Sequence, residues 1–286
     1  MSKSIIFSTL LYFCILLTGP LVFAQETRLL RSPSINHDKI SFVYAGDIWV
    51  ASKDGSNVKR ITAFDGVESN PHFSPNGQLI AFTGEYDGNR DVYVVSVDGG
   101  DPKRLTWHPG VDMVTGWSND GMKVVFTSGR KNAPYPDLDQ LWEISTEGGN
   151  PSPFDLPRAA NGKFSPDGLQ FVFEQVSPWE HEFRNYRGGQ NNPLRIFDLK
   201  TFTTQKLPWE NSRDIDPVWM DNTIYFLSDR DFGMNIWAYD ITAKTVQQKT
   251  FFKEFDCKNL EGDNETLIFE NGGYLFTLAR DSNKPV

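Results

Sequence analysis

Two adjacent cations, Arg130 and Lys131, are the first residues of this sequence whose types and spacing point to chemistry. They lie in segment 128–136, a long insertion between two predicted strands. A guanidinium binds a carboxylate through two parallel hydrogen bonds, and a neighbouring ammonium adds a point charge. The pair predicts a carboxylate-binding site; the alternative is a solvated loop with two ordinary surface charges.

A second insertion, 177–189, combines aromatic rings, charges and a terminal Gly-Gly pair. Its distinctive members are Trp179, Tyr186, Arg187, Gly188 and Gly189. Insertions in repeated β-structures commonly carry specificity, so this one is predicted to close over a channel or dock a neighbouring domain. The alternative is local packing of its aromatic side chains over the edge of a sheet.

The sequence contains no convincing catalytic or metal-binding arrangement. It has no Gly-x-Ser-x-Gly elbow, and its four histidines have no adjacent Cys or His partner. His181, between two glutamates, lacks the second His four positions on that a zinc helix needs. We therefore predict no catalytic residue, no metal and no cofactor in this chain, and we interpret the histidines as hydrogen-bonding residues of turns or of contacts between sheets.

Composition narrows the fold class and the partners. The 286 residues carry a formal charge of -9, which disfavours nucleic acid as a partner because phosphate contacts need clustered cations. The 22 Phe and 8 Trp, with many Gly and Pro, favour an all-β protein of short strands and tight turns.

The first 24 residues are predicted to be a secretory signal peptide. Lys3 is followed by an apolar run that ends near Gly19 and Pro20, and Ala24 stands at a suitable cleavage position. The alternative is an uncleaved membrane anchor. Cleavage predicts a secreted, periplasmic protein that keeps a single cysteine, Cys257, and so no internal disulfide.

One pattern of turns and strands recurs six times along the chain. Each copy has an apolar anchor before a turn such as Ser-Pro-Asn-Gly, then two strands, then a Gly-rich turn and a short strand. The anchors are Ile35, Phe73, Trp117, Phe164, Trp219 and Leu260. A period near forty residues with four strands per copy predicts a six-bladed β-propeller; the alternative is a β-sandwich with coincidental turns.

The predicted propeller covers residues 30–286. The predicted blades are 34–66, 67–110, 111–157, 158–211, 212–253 and 254–286. The sixth copy lacks most of a fourth strand, so this blade is predicted to be incomplete. Segment 26–31 is one candidate to complete it; the other interpretation, which we favour, is that the natural protein continues beyond Val286.

The runs "ISFVYAGDIWVASKDGSNVKRIT", "SPNGQLIAFTGEYDGNRDVYVV" and above all "WEHEFRNYRGG" resemble the first propeller of the tricorn protease family. The resemblance covers Leu30 to the end of the chain. It implies a large serine peptidase in which this propeller precedes a second propeller, a PDZ domain and a protease core that holds the catalytic residues.

The resemblance also implies peptides as partners, together with downstream protease domains of the same polypeptide and a homo-oligomer at full length. A basic pair in the family's propeller is thought to hold the C-terminal carboxylate of a peptide. Arg130 and Lys131 are the candidates here, with Lys131 a departure from the two Arg of the family pattern. The alternatives are a stand-alone TolB-like scaffold without catalysis and the propeller of a prolyl-oligopeptidase-like enzyme.

Overall fold

The computed structural model describes residues 28–131, 140–176, 184–189 and 191–286. These residues form 23 strands in six antiparallel sheets arranged around a central channel, so the predicted six-bladed β-propeller is confirmed. Five sheets have four strands and the sixth has three, which confirms an incomplete last blade. The described part of the chain contains no helix, and therefore no helix that is long and apolar enough to cross a membrane.

The strands follow the chain from the channel outwards in every blade. Blades one to three contain β1 (Arg31–Asn36), β2 (Lys39–Tyr44), β3 (Asp47–Ser52), β4 (Lys59–Arg60), β5 (Val67–Phe73), β6 (Leu79–Glu85), β7 (Arg90–Ser96), β8 (Lys103–Arg104), β9 (Asp112–Trp117), β10 (Lys123–Ser128), β11 (Gln140–Ser145) and β12 (Ser152–Pro153). Blades four to six contain β13 (Asn161–Phe164), β14 (Gln170–Glu174), β15 (Arg195–Asp198), β16 (Thr204–Lys206), β17 (Asp214–Met220), β18 (Thr223–Asp231), β19 (Gly233–Asp240), β20 (Thr245–Gln248), β21 (Lys258–Gly262), β22 (Thr266–Asn271) and β23 (Tyr274–Ala279).

The turns predicted from the sequence form between first and second strands. In blade two the Ser74 hydroxyl bonds to Asn76 Oδ1 at 2.7 Å, and Gly77 takes a φ of 68°. Blades three and four repeat this with Asp120 and Asp167 as acceptors, each 2.6 Å from its serine. The side chain closes the turn locally, and glycine supplies the left-handed backbone.

One phenylalanine of each second strand is buried between blades. These residues are Phe42, Phe82, Phe126, Phe173, Phe226 and Phe269, all at most 7% exposed. Around them the apolar clusters join neighbouring sheets, because a lone four-stranded sheet cannot cover both of its faces.

The ring closes between blade six and blade one through side chains. Ile35 and Phe42 of blade one pack against Ile268 of blade six. The backbone N–H of Ser32 donates to Glu270 Oε1 at 2.5 Å. No strand crosses this junction among the residues that the structure describes, since β1 of blade one begins at Arg31. Before it, the backbone N–H of Leu29 donates to Gly273 O in the β22–β23 turn of blade six.

The outer edge of blade six is met by the last residue of the chain. Val286 exchanges two backbone hydrogen bonds with Thr277 of β23, at 2.8 and 2.9 Å. This is the ladder position at which the fourth strand begins in blades one to three, as at Lys103 and Val94 in blade two.

We name the two ends of the propeller by their connections. The loop face carries the links between second and third strands and the links to the next blade, including the described parts of the two insertions, residues 128–131 and 184–189. The turn face carries the links between first and second and between third and fourth strands.

Candidate functional site in the channel and on the loop face

The first strands line the channel, and bulges shape them. Register shifts occur in the first strands of five blades, β1, β5, β9, β17 and β21. In all of these but β9 the shift contains a non-glycine residue with positive φ, and these are Ser32, Asn70, Asp216 and Asn259. A bulge adds a residue to one strand and re-aims its side chains, so short polar residues that tolerate this backbone mark the channel wall.

One position of the first strand is equivalent in all six blades. In each blade it is the first-strand residue that pairs with the second-strand residue immediately before the buried phenylalanine. Its occupants in chain order are Ser34, His72, Gly116, Lys163, Val218 and Glu261. Long polar side chains therefore alternate with short ones around this ring position, and the long ones stand on blades two, four and six.

The three long side chains meet across the channel. Lys163 Nζ lies 2.8 Å from Glu261 Oε1 and donates to the backbone carbonyl of Thr115 at 3.1 Å. His72 Nδ1 lies 3.4 Å from the same Glu261 oxygen. Blades two, four and six are not neighbours, so these contacts are possible only across the channel. We call these three residues the channel triad; it spans the channel close to the turn face.

The charges of the channel triad balance within it. Burial, together with the positive charge of Lys163, holds the pKa of His72 well below its ordinary value. The imidazole is therefore neutral at neutral pH. Burial raises the pKa of Glu261, while the Lys163 ammonium acts in the opposite direction. Lys163 is accordingly the cation that balances Glu261.

Two further carboxylates lie on the same side of the channel. Glu174 Oε1 accepts the backbone N–H of Asp216 at 2.8 Å and Asn161 Nδ2 at 3.3 Å. Burial raises the pKa of both Glu174 and Asp216, and a neighbouring carboxylate raises each one further. The channel wall formed by blades four to six is therefore rich in acidic groups that favour a nearby cation.

Replacing Lys163 by Met should raise the pKa of His72, because the cation that disfavours a second positive charge is removed while Glu261 remains. NMR titration of the imidazole C–H signals measures this. Lys123→Met is the matched control, since Lys123 also makes a 2.8 Å ion pair, with Glu143 on the outside of blade three. An unchanged His72 titration in Lys163→Met would contradict the geometry of the channel triad.

Arg130 lies on the loop face and is held by its own blade. Its Nη2 lies 2.5 Å from Asp112 Oδ2, and its Nε donates to Ser128 Oγ at 3.1 Å. The guanidinium also lies over the rings of Phe126 and Trp142. Lys131 is exposed, with its ammonium 4.8 Å from the centre of the Trp142 ring.

Arg230 of blade five makes the same set of contacts as Arg130. Its Nη2 lies 2.6 Å from Asp214 Oδ2, its Nε donates to Ser228 Oγ at 3.1 Å, and it covers the rings of Phe226 and Trp237. The runs Phe-Thr-Ser-Gly-Arg and Phe-Leu-Ser-Asp-Arg place both arginines identically. Arg130 therefore has a structural role in its blade, and its role in carboxylate binding stays a prediction.

The second insertion is tied down over blade five. The carboxylate of Asp229, fully buried, accepts the backbone N–H of Asn185 at 2.6 Å and Arg187 Nη1 at 3.0 Å through Oδ2. Its Oδ1 accepts the backbone N–H of Arg213 at 2.9 Å. Arg184 continues to the link before blade six, where it pairs with Asp256 at 3.0 Å. Residues 184–187 thus lie on the loop face above blade five.

Within this insertion the glycines differ in role. A Cβ at Gly188 would lie 2.0 Å from the Tyr186 hydroxyl, whereas nothing lies within 4 Å of one at Gly189. Tyr186 is 39% exposed. Trp179 lies outside the described residues, as do residues 1–24 with the predicted signal peptide.

Exposed aromatic side chains concentrate on the loop face. Eight of the nine in the described ranges are there: Tyr44, Phe64, Trp107, Tyr186, Trp209, Phe232, Phe251 and Phe255. The ninth, Phe202, is on the turn face. Exposed aromatic surface is typical of binding faces, so the loop face is the side from which a ligand would approach.

The channel triad was not predicted from the sequence, although a signal for it exists. Counting back ten positions from the second-strand phenylalanine gives His72, Gly116 and Lys163 in blades two to four. Glu261 is eight positions before Phe269, so it joins this column only when the shorter turn of blade six is allowed for. The anchor chosen for the sixth copy, Leu260, is wrong: the register places Gly262 in that position. Met220 fills the space of the missing side chain, since a Cβ on Gly262 would lie 2.5 Å from Met220 Cε.

In the ranges that the structure describes, no group of three or more His, Cys, Asp or Glu side chains is placed to hold a metal ion. The channel triad offers charges and hydrogen-bonding groups, and the loop face offers aromatic surface.

Comparison with known proteins gives a consistent result. The family model described as the tricorn protease N-terminal beta propeller domain matches residues 27–284. The tricorn protease of Thermoplasma acidophilum is 26% identical over 266 residues, which are 90% of this chain and 24% of that protein. The chain thus spans about a quarter of the length of the curated relatives that it matches.

Solved structures share the fold. The crystal structure of the tricorn protease superposes with a TM-score of 0.80 at 24% identity, over 91% of this chain and 26% of that one. A TolB protein from Agrobacterium tumefaciens superposes with a TM-score of 0.62 at 16% identity, over 79% of this chain and 82% of that one.

Proposed function

This chain belongs to the tricorn protease N-terminal β-propeller family, and from that membership we propose that it is the propeller module of a tricorn-like serine peptidase. In this proposal it guides or gates peptides, and bond cleavage is carried out by protease domains of the same polypeptide. The observation that carries the proposal is the family match over residues 27–284. The whole enzyme would work by acyl transfer through a serine nucleophile and an oxyanion hole.

The arrangement of the loop face supports peptide binding. The described parts of both insertions lie on it, and so do eight exposed aromatic side chains. Aromatic rings and fixed cations bind peptides without any catalytic group. We propose Arg130 and Lys131 as the groups that hold a peptide's C-terminal carboxylate. Lys131 is exposed and so can reach a ligand, while Arg130 stays in its pair with Asp112.

A peptide with a free C-terminus should bind this chain about tenfold more tightly than its amidated form, and Lys131→Ala should remove most of that difference. A charge-assisted hydrogen bond is worth about 1.5–3 kcal/mol, and 1.4 kcal/mol is tenfold in affinity. Fluorescence anisotropy with labelled peptides measures both quantities.

Two arginine variants separate binding from stability in this test. Arg130→Gln and Arg230→Gln each remove a buried pair with an aspartate, but only Arg130 lies beside Lys131. Under the proposal both variants lose stability and only Arg130→Gln loses discrimination between free and amidated peptides. Equal affinity of the two peptides for the wild-type chain would refute the carboxylate site.

The second candidate function is a TolB-like scaffold that binds a protein without any proteolysis. The superposition on TolB structures favours it, because those propellers match most of this chain. A protease core encoded after Val286 would favour the peptidase module, and a stop codon there would favour the scaffold. For either function we propose that residues 1–24 are removed on export to the periplasm, which the mass of the mature protein checks.

A further inference from the structure

The channel contains an ammonium group of the protein itself, that of Lys163 in the channel triad. Lys163 Nζ is bound by the Glu261 carboxylate at 2.8 Å and by the Thr115 carbonyl at 3.1 Å. An ammonium offers three donors and no acceptor, so a carboxylate and a carbonyl are the partners that it requires. These two acceptors belong to blades six and three, and they would be complementary to any primary ammonium group.

Lys163 is able to leave this position. Its side chain is 21% exposed and ends in four rotatable carbons, so the ammonium can turn into solvent without a change of the backbone. Gly116, which occupies the ring position of the neighbouring blade, has no side chain that could hold the Lys163 ammonium. A Cβ at this position would already be in van der Waals contact with Lys163 Nζ, at 3.5 Å. The neutral His72 lies on another side of Glu261 and contributes no competing charge, and the buried Asp216 nearby also interacts favourably with a cation in this position.

Replacing Lys163 by another ammonium keeps Glu261 balanced. Removing one partner of a largely buried ion pair costs several kcal/mol, because the other charge is left unpaired. An exchange of one ammonium for another avoids that cost. A cationic ligand end is therefore the kind of group that can open the contact across the channel without leaving a charge uncompensated.

We propose that Glu261 and the Thr115 carbonyl form a receptor for a primary ammonium group of a peptide in the channel, which Lys163 occupies when no peptide is bound. The ligand part of this inference rests on the proposed peptide-guiding function. The N-terminus of a peptide and a lysine side chain both supply the group.

The receptor itself is tested by filling the space that a shortened side chain leaves. Lys163→Ala should be destabilised, and millimolar n-propylammonium chloride, which has the three carbons and the nitrogen that the substitution removes, should raise its Tm by about 2 °C or more over sodium chloride at equal ionic strength. Lys163→Met is the matched control, because its side chain fills the same space without the charge and should show no such rise. Lys163→Ala combined with Glu261→Gln should also show none.

Three peptides then distinguish the sources of the ammonium group in the wild-type chain. These are a peptide without lysine and with a free N-terminus, its N-acetylated form, and an acetylated form with one lysine. Acetylation should weaken binding about tenfold, and the lysine should restore it if a side chain enters the site. Glu261→Gln should make the three affinities equal.

The outcomes separate this inference from the proposed function. No rise in Tm for Lys163→Ala with propylammonium, or an equal rise for Lys163→Met, overturns the receptor. Peptides that bind the wild-type chain regardless of acetylation overturn it as well, while they support the guiding function. Rescue by propylammonium without binding of any peptide supports the receptor and refutes the guiding function.

Discussion

Arg230→Met is expected to lower the free energy of unfolding by about 3–5 kcal/mol, because it leaves a buried carboxylate without its cation. Arg230 and Asp214 have side-chain exposures of 4% and 1%, and their closest atoms are 2.6 Å apart. After the substitution, Asp214 Oδ1 keeps the hydroxyls of Ser212 and Ser228 as donors, but no positive charge remains beside it. Urea denaturation measures the loss.

The loss should depend on pH. Burial raises the pKa of Asp214, and Arg230 opposes that rise, so the pKa of Asp214 in the folded variant should rise further. A carboxyl with a raised pKa in the folded state adds stability below its unfolded pKa, and this is lost as pH rises through the folded pKa. The deficit of Arg230→Met should thus be smallest near pH 4 and grow towards neutral pH.

The double variant provides the control for this substitution. Arg230→Met with Asp214→Asn removes both charges and should recover much of the lost stability, because no uncompensated charge remains. A double variant that is no more stable than Arg230→Met would show that packing of the arginine stem, and not the ion pair, accounts for the effect.

Asp229→Ala is expected to release the second insertion and to lower the free energy of unfolding by about 3 kcal/mol or more. The substitution removes the acceptor for the backbone N–H groups of Asn185 and Arg213 and for the Arg187 guanidinium. Each hydrogen bond to a charged group is worth about 1.5–3 kcal/mol, and the values are not additive. Limited proteolysis should therefore cut the variant faster within 184–191.

Asp231→Ala is the matched control, since Asp231 is the same residue type two positions along the strand and is exposed. Asp231→Ala should leave the free energy of unfolding within about 0.5 kcal/mol of the wild-type value. The rate of cleavage should stay within about twofold of the wild-type rate. If Asp229→Ala were cleaved no faster than Asp231→Ala, the insertion would be held by contacts other than this carboxylate.

The architecture was predictable from the sequence because each blade repeats its local signals. The Ser-Pro-Asn-Gly turn at Ser74 and its relatives fix where a first strand ends, and the apolar alternation after it fixes which face is buried. These signals act within a few residues, so they survive in a single sequence.

The channel triad was not predicted because its members meet only after the ring has closed. His72 and Glu261 are 189 positions apart and belong to different blades. Their meeting depends on the register of β5 and β21, and each register includes a bulge, which alternation along a strand does not predict. The anchor of the sixth copy was wrong because Gly262 has no apolar side chain to mark the position, and Leu260, two positions earlier, is the nearest apolar residue before it.

Arg130 shows the converse limit of reading residue types alone. The adjacent cations indicated a ligand, but the run Phe-x-Ser-x-Arg occurs again at Arg230, where the arginine pairs with a buried aspartate. An internal repeat of a charged residue points to a structural role of that residue in the blade, and a comparison of blades three and five would have predicted the ion pair with Asp112.

The junction between blades one and six has a mechanical consequence. Every other pair of adjacent blades is joined by covalent chain, whereas this pair is held by Ile35, Phe42 and Ile268 and by a few hydrogen bonds such as that from Ser32 to Glu270. Separation of blades one and six would open the channel along its whole length on that side. A long chain anchored at both ends would then be admitted laterally, without threading from either end.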